Sequence, residues 1–367
     1  MDPTPSRNCI EIIVRHRAEQ FVPWNDGKGI SPPDPALERP VKPGNLYDRD
    51  RGESRRQYQK NRQLIVSLQH LSKASGWFHA WDRILPSGPA HDSHCVVDVI
   101  DVDAFTIVIN HIHGRTELFP RHVNLETLAK VAVLVIYLGC SEVLGNSPQR
   151  WMDKLWREQH WAYSRDIVLW IYVAQMFKDP QKFREATRQA MMLWPGRFID
   201  LGLHIEASVS AEINIRREKT LALILSRLRT FTTNHLQRVR TMPSIDNEVA
   251  LFGTLLKQLH HKYSMSPEGT CECSIAKVVK DIAALRQSFR LNPSQANDPP
   301  PEKRVCSEIE LVVTAFIRDT TVQVEDLEGL ELPEGYQPQE EEEYFGEHDD
   351  EDEDEDDEDQ WSASNSN

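Results

Sequence analysis

Histidine and cysteine are the residues whose spacing first suggests chemistry. His91-Asp92-Ser93-His94-Cys95 places two imidazoles and a thiol close together, with His111, His113 and His122 following. Zinc favours such donors at short spacing. His111 and His113 are two apart, however, and helical residues at that spacing point to different sides. His91 to His94 falls in a Gly-Pro loop. Structural or solvated histidines are the expectation, and no metal is assigned. His260-His261 with Cys271-x-Cys273 is a second candidate. One residue between cysteines is fewer than the two to four of a structural zinc site, so a loop with free thiols is expected. No Gly-x-Ser-x-Gly elbow and no Cys-His signature is present. Gly27-Lys28-Gly29 lacks the rest of a phosphate loop and reads as a flexible turn. No catalytic residue and no cofactor is expected.

The elements that would position these residues begin with a Pro- and Gly-rich stretch, residues 1 to about 60, expected to be poorly ordered or inserted. Within it only Cys9 to Arg15 reads as a strand. Asp48 to Arg62 is arginine-rich but diluted by Asp48, Asp50 and Glu53, and reads as a solvated linker or, more sharply, a nuclear-import signal. Gln63 to Leu68 and Cys95 to Ile100 are strand candidates. Helices are predicted over Leu71 to Ile84, over Ala104 to His113 with Asp103 as cap and Gly114 as stop, and over Asn124 to Leu138. Further helices open at Ser147-Pro148 and Ser164, and run over Gln181 to Leu193, Ala207 to about Arg240, Glu248 to His261 and Ser274 to Phe289. Asn292 to Arg304 is a Pro-rich break. Val305 to Arg318 is one helix or a strand pair. The tryptophans 151, 156, 161, 170 and 194 read as core packing, with an exposed partner face as the alternative.

Of 367 residues, 40% are hydrophobic and 27% charged, enough for a packed core in about two domains. The net charge of −15 is uneven. Glu340 to Asp359 holds 16 acidic residues and no Lys or Arg; taking these from the chain's 57 leaves 41 acidic against 42 basic. The body is near neutral, so nucleic acid is not an expected partner. Everything after Glu325 is expected to be disordered, with the tail either solubilising, binding basic partners such as histone tails, or folding back on the basic 211–240 helix. The six cysteines are sparse and irregular, which points to a reduced intracellular compartment, nucleus or cytoplasm. The apolar runs Leu128 to Leu138 and Ile167 to Phe177 are too short to cross a membrane and read as core helices. The start of the chain lacks the order of a signal peptide.

The order strand, helix, strand, helix, helix, helix over residues 63 to 158 carries a resemblance. Ser67-Leu68-Gln69-His70-Leu71-Ser72-Lys73-Ala74-Ser75, followed by Phe78, resembles the strand-to-helix segment of BTB/POZ domains. Val97-Asp98-Val99-Ile100-Asp101-Val102-Asp103-Ala104-Phe105 is similar to a later strand and helix start. His111-Ile112-His113-Gly114-Arg115 matches the Ile-His-Gly-Arg ending of fungal members, and Leu125 to Cys140 looks like their next helix. Tyr163-Ser164-Arg165-Asp166, Leu169-Trp170-Ile171 and Leu256 to His260 are similar to the helical region that follows. The family ordinarily opens with a strand hairpin. Here the only candidate first strand lies far upstream, so a long insertion splits the hairpin or the strand is absent.

The resemblance implies an α+β fold: a BTB/POZ-like domain over 63–160, an all-helical region over 161–290, a linker with a possible short helix over 291–335 and an acidic tail over 336–367. It implies a non-enzymatic protein–protein interaction module that pairs with itself or a cullin scaffold, as a substrate adaptor or a scaffold. The helices 71–84 and 104–113 are the expected partner-facing pieces, with Leu71, Phe78, Phe105 and His113 as contact residues. The alternative is a nuclear, chromatin-associated protein acting through its acidic tail.

Overall fold

Alternation decides the first strand. In Cys9–Arg17 (β1), Ile10, Ile12 and Val14 are buried while Cys9, Glu11, Ile13 and Arg15 are half-buried. That is the period-two pattern of a strand with one face on a core. The structure, a computed structural model, describes residues 9–17, 21–24, 58–84, 94–99, 101–241, 247–264, 273–288 and 303–333. Within these, β1 is the middle of a three-stranded sheet. It pairs antiparallel with Tyr58–Ser67 (β2), Cys9 lying opposite Ser67, and parallel with His94–Val99 (β3), Val14 lying opposite Val97. The hairpin is therefore present and split by residues 18–57. The N-terminal region, expected to lie outside the domain, supplies its central strand.

The helix expected over 71–84 is two helices, Leu68–Ala74 (α1) and Gly76–Ile84 (α2). Ser75 makes the break. Its backbone is extended (φ −136°), its Oγ accepts from the Phe78 amide at 3.2 Å, and its hydroxyl donates to the Leu138 carbonyl at 2.5 Å. Such a residue satisfies the helix's orphan amides better outside the helix than within it. Val102–Ile112 (α3) is capped by Asp101, not Asp103: the Asp101 Oδ1 accepts from the amides of Asp103 and Ala104, both at 2.9 Å. Two aspartates two positions apart both look like caps in sequence, and only the extended backbone at Asp101 (φ −152°) decides between them. Gly114 (φ +62°) turns the chain in the left-handed region after α3. Leu125–Tyr137 (α4) is capped by Asn124, whose Oδ1 accepts from the Thr127 amide at 2.7 Å.

The rest of the described chain is helical: Ser147–Arg157 (α5), Asp166–Met176 (α6), Pro180–Leu193 (α7), Ala207–Thr241 (α8), Asn247–Ser264 (α9), Ile275–Ser288 (α10) and Lys303–Glu325 (α11). The last settles the choice between one helix and a strand pair over Val305 to Arg318 in favour of a helix, longer than the short one expected within the linker at 291–335. The fold is α+β in the broad sense, mostly helical with one small sheet.

Two hydrophobic cores result. One gathers the inner faces of β1, β2 and β3 with α1, α2 and α3; the other surrounds α6, which is buried on every side from Ile167 to Gln175. Helix α4 is the wall between them. Its Leu128, Ala129 and Ala132 face the helical core, and its Val131, Leu134, Val135 and Leu138 face the sheet core. The tryptophans behave as core: Trp151, Trp170 and Trp194 are buried, and their indole N–H groups donate to Pro120, Gln159 and Arg197 at 2.7–2.9 Å.

Two non-helical straps bind the helical core. In the first, Phe21 and Val22 are buried and Trp24 packs edge-on against Tyr163 and Trp194. Val22 sits at φ +49°, unfavourable for a β-branched residue, and is held there by its seat. Residues 326–333 form the second strap along α7, with Leu327 and Leu330 buried. This corrects the expectation that order ends at Glu325; residues 334–367, including the acidic run, lie outside the described residues.

Candidate interaction site

Three of the four expected contact residues cannot meet a partner. Leu71, Phe78 and Phe105 are each 0% exposed in the sheet core. The helical stripe that marks a residue for a partner also marks it for its own core, and here the core takes it. They hold the surface in place. His113 is half-buried. Its Nδ1–H donates to the Ile109 carbonyl at 2.8 Å and its Nε2 accepts from the Ser67 amide at 3.0 Å. Both nitrogens are thus committed, and the ring pins the end of α3 to the junction of β2 and α1.

His111 is committed elsewhere. Its Nδ1–H donates to the Ile107 carbonyl at 2.9 Å, its Nε2 lies 3.1 Å from the Ser147 hydroxyl, and its ring stacks on Phe119 at 3.6 Å. Burial pushes the pKa of both histidines down; for His113 the charges of Arg115 and His70 push the same way. The two rings point to different helices, as their spacing implied. Among the described residues no group of three or more His, Cys, Asp or Glu is arranged to hold a metal. His91 to Ser93 and Cys271 lie outside those residues. Cys95 is buried with a thiol pushed up to about 12 by burial, as is Cys140, so neither is a thiolate at neutral pH. Cys273, expected as a free thiol, is disulfide-bonded; spacing in sequence carried no sign of it.

The accessible part of the expected region is the outer side of α1 and α2. Gln69, His70, Lys73, His79, Asp82 and Arg83 are exposed there. Trp77 and Trp81, one helical turn apart, are half-buried against the rim of the sheet core. Trp77 packs edge-on on Phe78 at 4.8 Å and lies 6.3 Å from the Tyr137 ring. A half-buried tryptophan pair ringed by charged residues is the composition of an interface hot spot. Trp77 stands next to Phe78 in the sequence, and apolar phase selects the neighbour that leads inward. Leu118, 53% exposed in the turn after α3, and Ile65, 68% exposed on β2, are further apolar residues on the surface of this unit.

An ion network carries the position of this unit to the helical core. Lys130 of α4 lies 3.0 Å from the Asp101 cap and 2.8 Å from Glu126, and Arg165 pairs with Glu126 and reaches the Phe21 carbonyl at 3.4 Å. Burial works against the Asp101 carboxylate, but the α3 amides and Lys130 outweigh it and hold its pKa below the ordinary range. Such a set acts as structure and offers no vacant group to a substrate.

No family model, no curated protein and no solved structure matches the chain. No helix among the described residues is long and apolar enough to cross a membrane.

Proposed function

We propose that the chain is a non-enzymatic protein–protein interaction module of the BTB/POZ type, with α1 and α2 as its partner-facing pieces. The carrying observation is the order of elements: a strand hairpin, two short helices, a third strand parallel to the first, then α3, which packs on the sheet, followed by α4 and α5. The residues that resemble the family supply the core of that unit, and the antiparallel pairing of β1 with β2 supports the same reading, the 18–57 insertion between them being a departure from the family. Function then resides in a surface, with Trp77 and Trp81 as anchors. The partner is a cullin scaffold, for an adaptor, or a second copy of the chain. A fungal, intracellular setting in nucleus or cytoplasm belongs to the same proposal.

A second reading rests on the 16 acidic residues of 340–359, which would bind basic proteins such as histones. One experiment separates the two. Affinity capture with mass spectrometry and analytical ultracentrifugation are applied to the full chain, a version ending at Pro333, and Trp77→Ala/Trp81→Ala. The interaction module predicts a cullin or a self-dimer retained by the version ending at Pro333 and lost in the tryptophan variant. Histones captured by the full chain alone, with no change in the tryptophan variant, would transfer the function to the tail.

A further inference from the structure

The strap at 326–333 meets α7 as a bound peptide would. Leu327 and Leu330 are buried and Glu328 and Glu331 are exposed, so the segment alternates between helix and solvent. Side chains of α7 read its backbone. The Thr187 hydroxyl, fully buried, accepts the Leu330 amide at 2.9 Å while its own proton goes to the Phe183 or Arg184 carbonyl. The Arg188 Nε donates to the Leu327 carbonyl at 3.0 Å, and Arg184 reaches Glu331 at 3.4 Å. Between the leucines the chain lies so close to α7 that a Cβ at Gly329 would sit 1.7 Å from the Arg184 carbonyl oxygen. Apolar seats for two leucines, polar groups for the backbone and arginine at the rim together form a site for an extended acidic peptide.

We propose that this groove on α7 is a peptide-docking site, closed by the chain's own strap and open in turn to a partner segment of the same chemistry. That chemistry is two leucines three apart, a glycine directly before the second, and carboxylates on the outward positions. The site lies in the helical half and does not rest on the BTB/POZ reading. The strap begins one residue after α11 ends at Glu325, so its tether gives it a high local concentration. A partner therefore gains the groove in proportion to the fraction of time the strap is off.

The test uses a fluorescent peptide copying residues 326–333 and the full chain. Gly329→Ala in the chain blocks the strap and leaves α7 untouched. Expected is at least about tenfold tighter peptide binding to G329A than to the unmodified chain, the open fraction rising towards one. The same peptide carrying Gly329→Ala binds neither. Equal binding of the unaltered peptide to both chains overturns the proposal. If the variant does not fold, hydrogen exchange on the unmodified chain decides. The proposal requires the Leu330 amide to exchange through local opening, faster than the core amides of α6. Exchange of Leu330 only with global unfolding overturns it.

Discussion

The sheet unit and the helical half differ in how deeply they bury charge. In the sheet unit three neutral side chains bridge elements: Ser75 between α2 and α4, His111 between α3 and α5, His113 between α3 and β2. The unit's charged pair, Asp101 with Lys130, is only half-buried. The helical half buries charge. Lys182 lies 2.6 Å from Asp179 and 2.7 Å from Asp153, and Gln149 donates to Asp179 at 2.8 Å. Arg217, 3% exposed, donates to the carbonyls of Trp194, Pro195 and Cys273 with no carboxylate among its bonds. The difference follows from the elements. A small sheet with short helices leaves single amides and carbonyls that one neutral side chain can bridge. Long helices converging on α6 bring whole helix ends inward, with partial charges that need a full charge opposite. The first solution depends on the protonation of imidazoles; the second depends on keeping ions paired.

The largest expected effect breaks the ionic side of that contrast. Asp179 caps α7 through the Lys182 amide at 3.0 Å and neutralises the Lys182 ammonium. Burial opposes its charge, but the bonds from Lys182 and Gln149 prevail and hold its pKa below the ordinary value. Asp179→Ala leaves Lys182 buried with only the half-exposed Asp153, at an expected cost of about 3–5 kcal/mol in urea unfolding. Phe105→Ala in the sheet core should cost about as much, through a cavity. The two are told apart by rescue. Adding Lys182→Met to Asp179→Ala removes the stranded charge and recovers most of the loss. If the double variant is as unstable as the single one, the ions are not what distinguishes the helical half.

The next effect sharpens the neutral side. His113 accepts an amide hydrogen bond at Nε2, which a protonated ring cannot do, and its pKa is pushed below the ordinary 6.5. With a depressed folded pKa, the stability it contributes is complete above about pH 6.5 and drains away as pH falls below that. His113→Gln should cost about 1–3 kcal/mol at pH 7.5, where a buried amide loses its partner. The gap between variant and unmodified chain should narrow as the pH is lowered to about 5.5. A gap that stays constant across that range would show that the ring is not held neutral.

These contrasts were only partly legible in the sequence. Periodicity located most of the described strands and helices because burial on one face writes itself as spacing: Ile10, Ile12 and Val14 for β1, or the apolar run of α6; the polar first half of β2, Tyr58–Arg62, carries no such spacing and reads as linker. It could not separate α1 from α2, since Ser75 acts through a bond to Leu138, far along the chain. Nor could it tell a helix from a strand pair over α11, or foresee the 326–333 strap, whose pattern of acids and leucines gains meaning only from Thr187 and Arg188. The expected contact residues failed for a related reason. Apolar phase finds the face that is buried, whereas an interface needs the residues at its edge, Trp77 and Trp81, which phase alone ranks below Phe78.

The smallest expected effect tests where the helical half falls short of the sheet unit. Gln175 is the one polar residue within the buried run of α6, and it is 1% exposed. Neither its Oε1 nor its Nε2 has a hydrogen-bond partner among the described residues. In the sheet unit Ser75 and the two histidines are, by contrast, bonded. A buried amide without partners retains its desolvation penalty and returns nothing for it. Gln175→Leu, close in volume, should therefore raise stability by about 1 kcal/mol, seen as a higher urea midpoint at unchanged slope. A loss instead would mean that the amide is satisfied in solution. The helical half would then match the sheet unit in bonding its neutral groups, and the contrast would narrow to its buried charges alone.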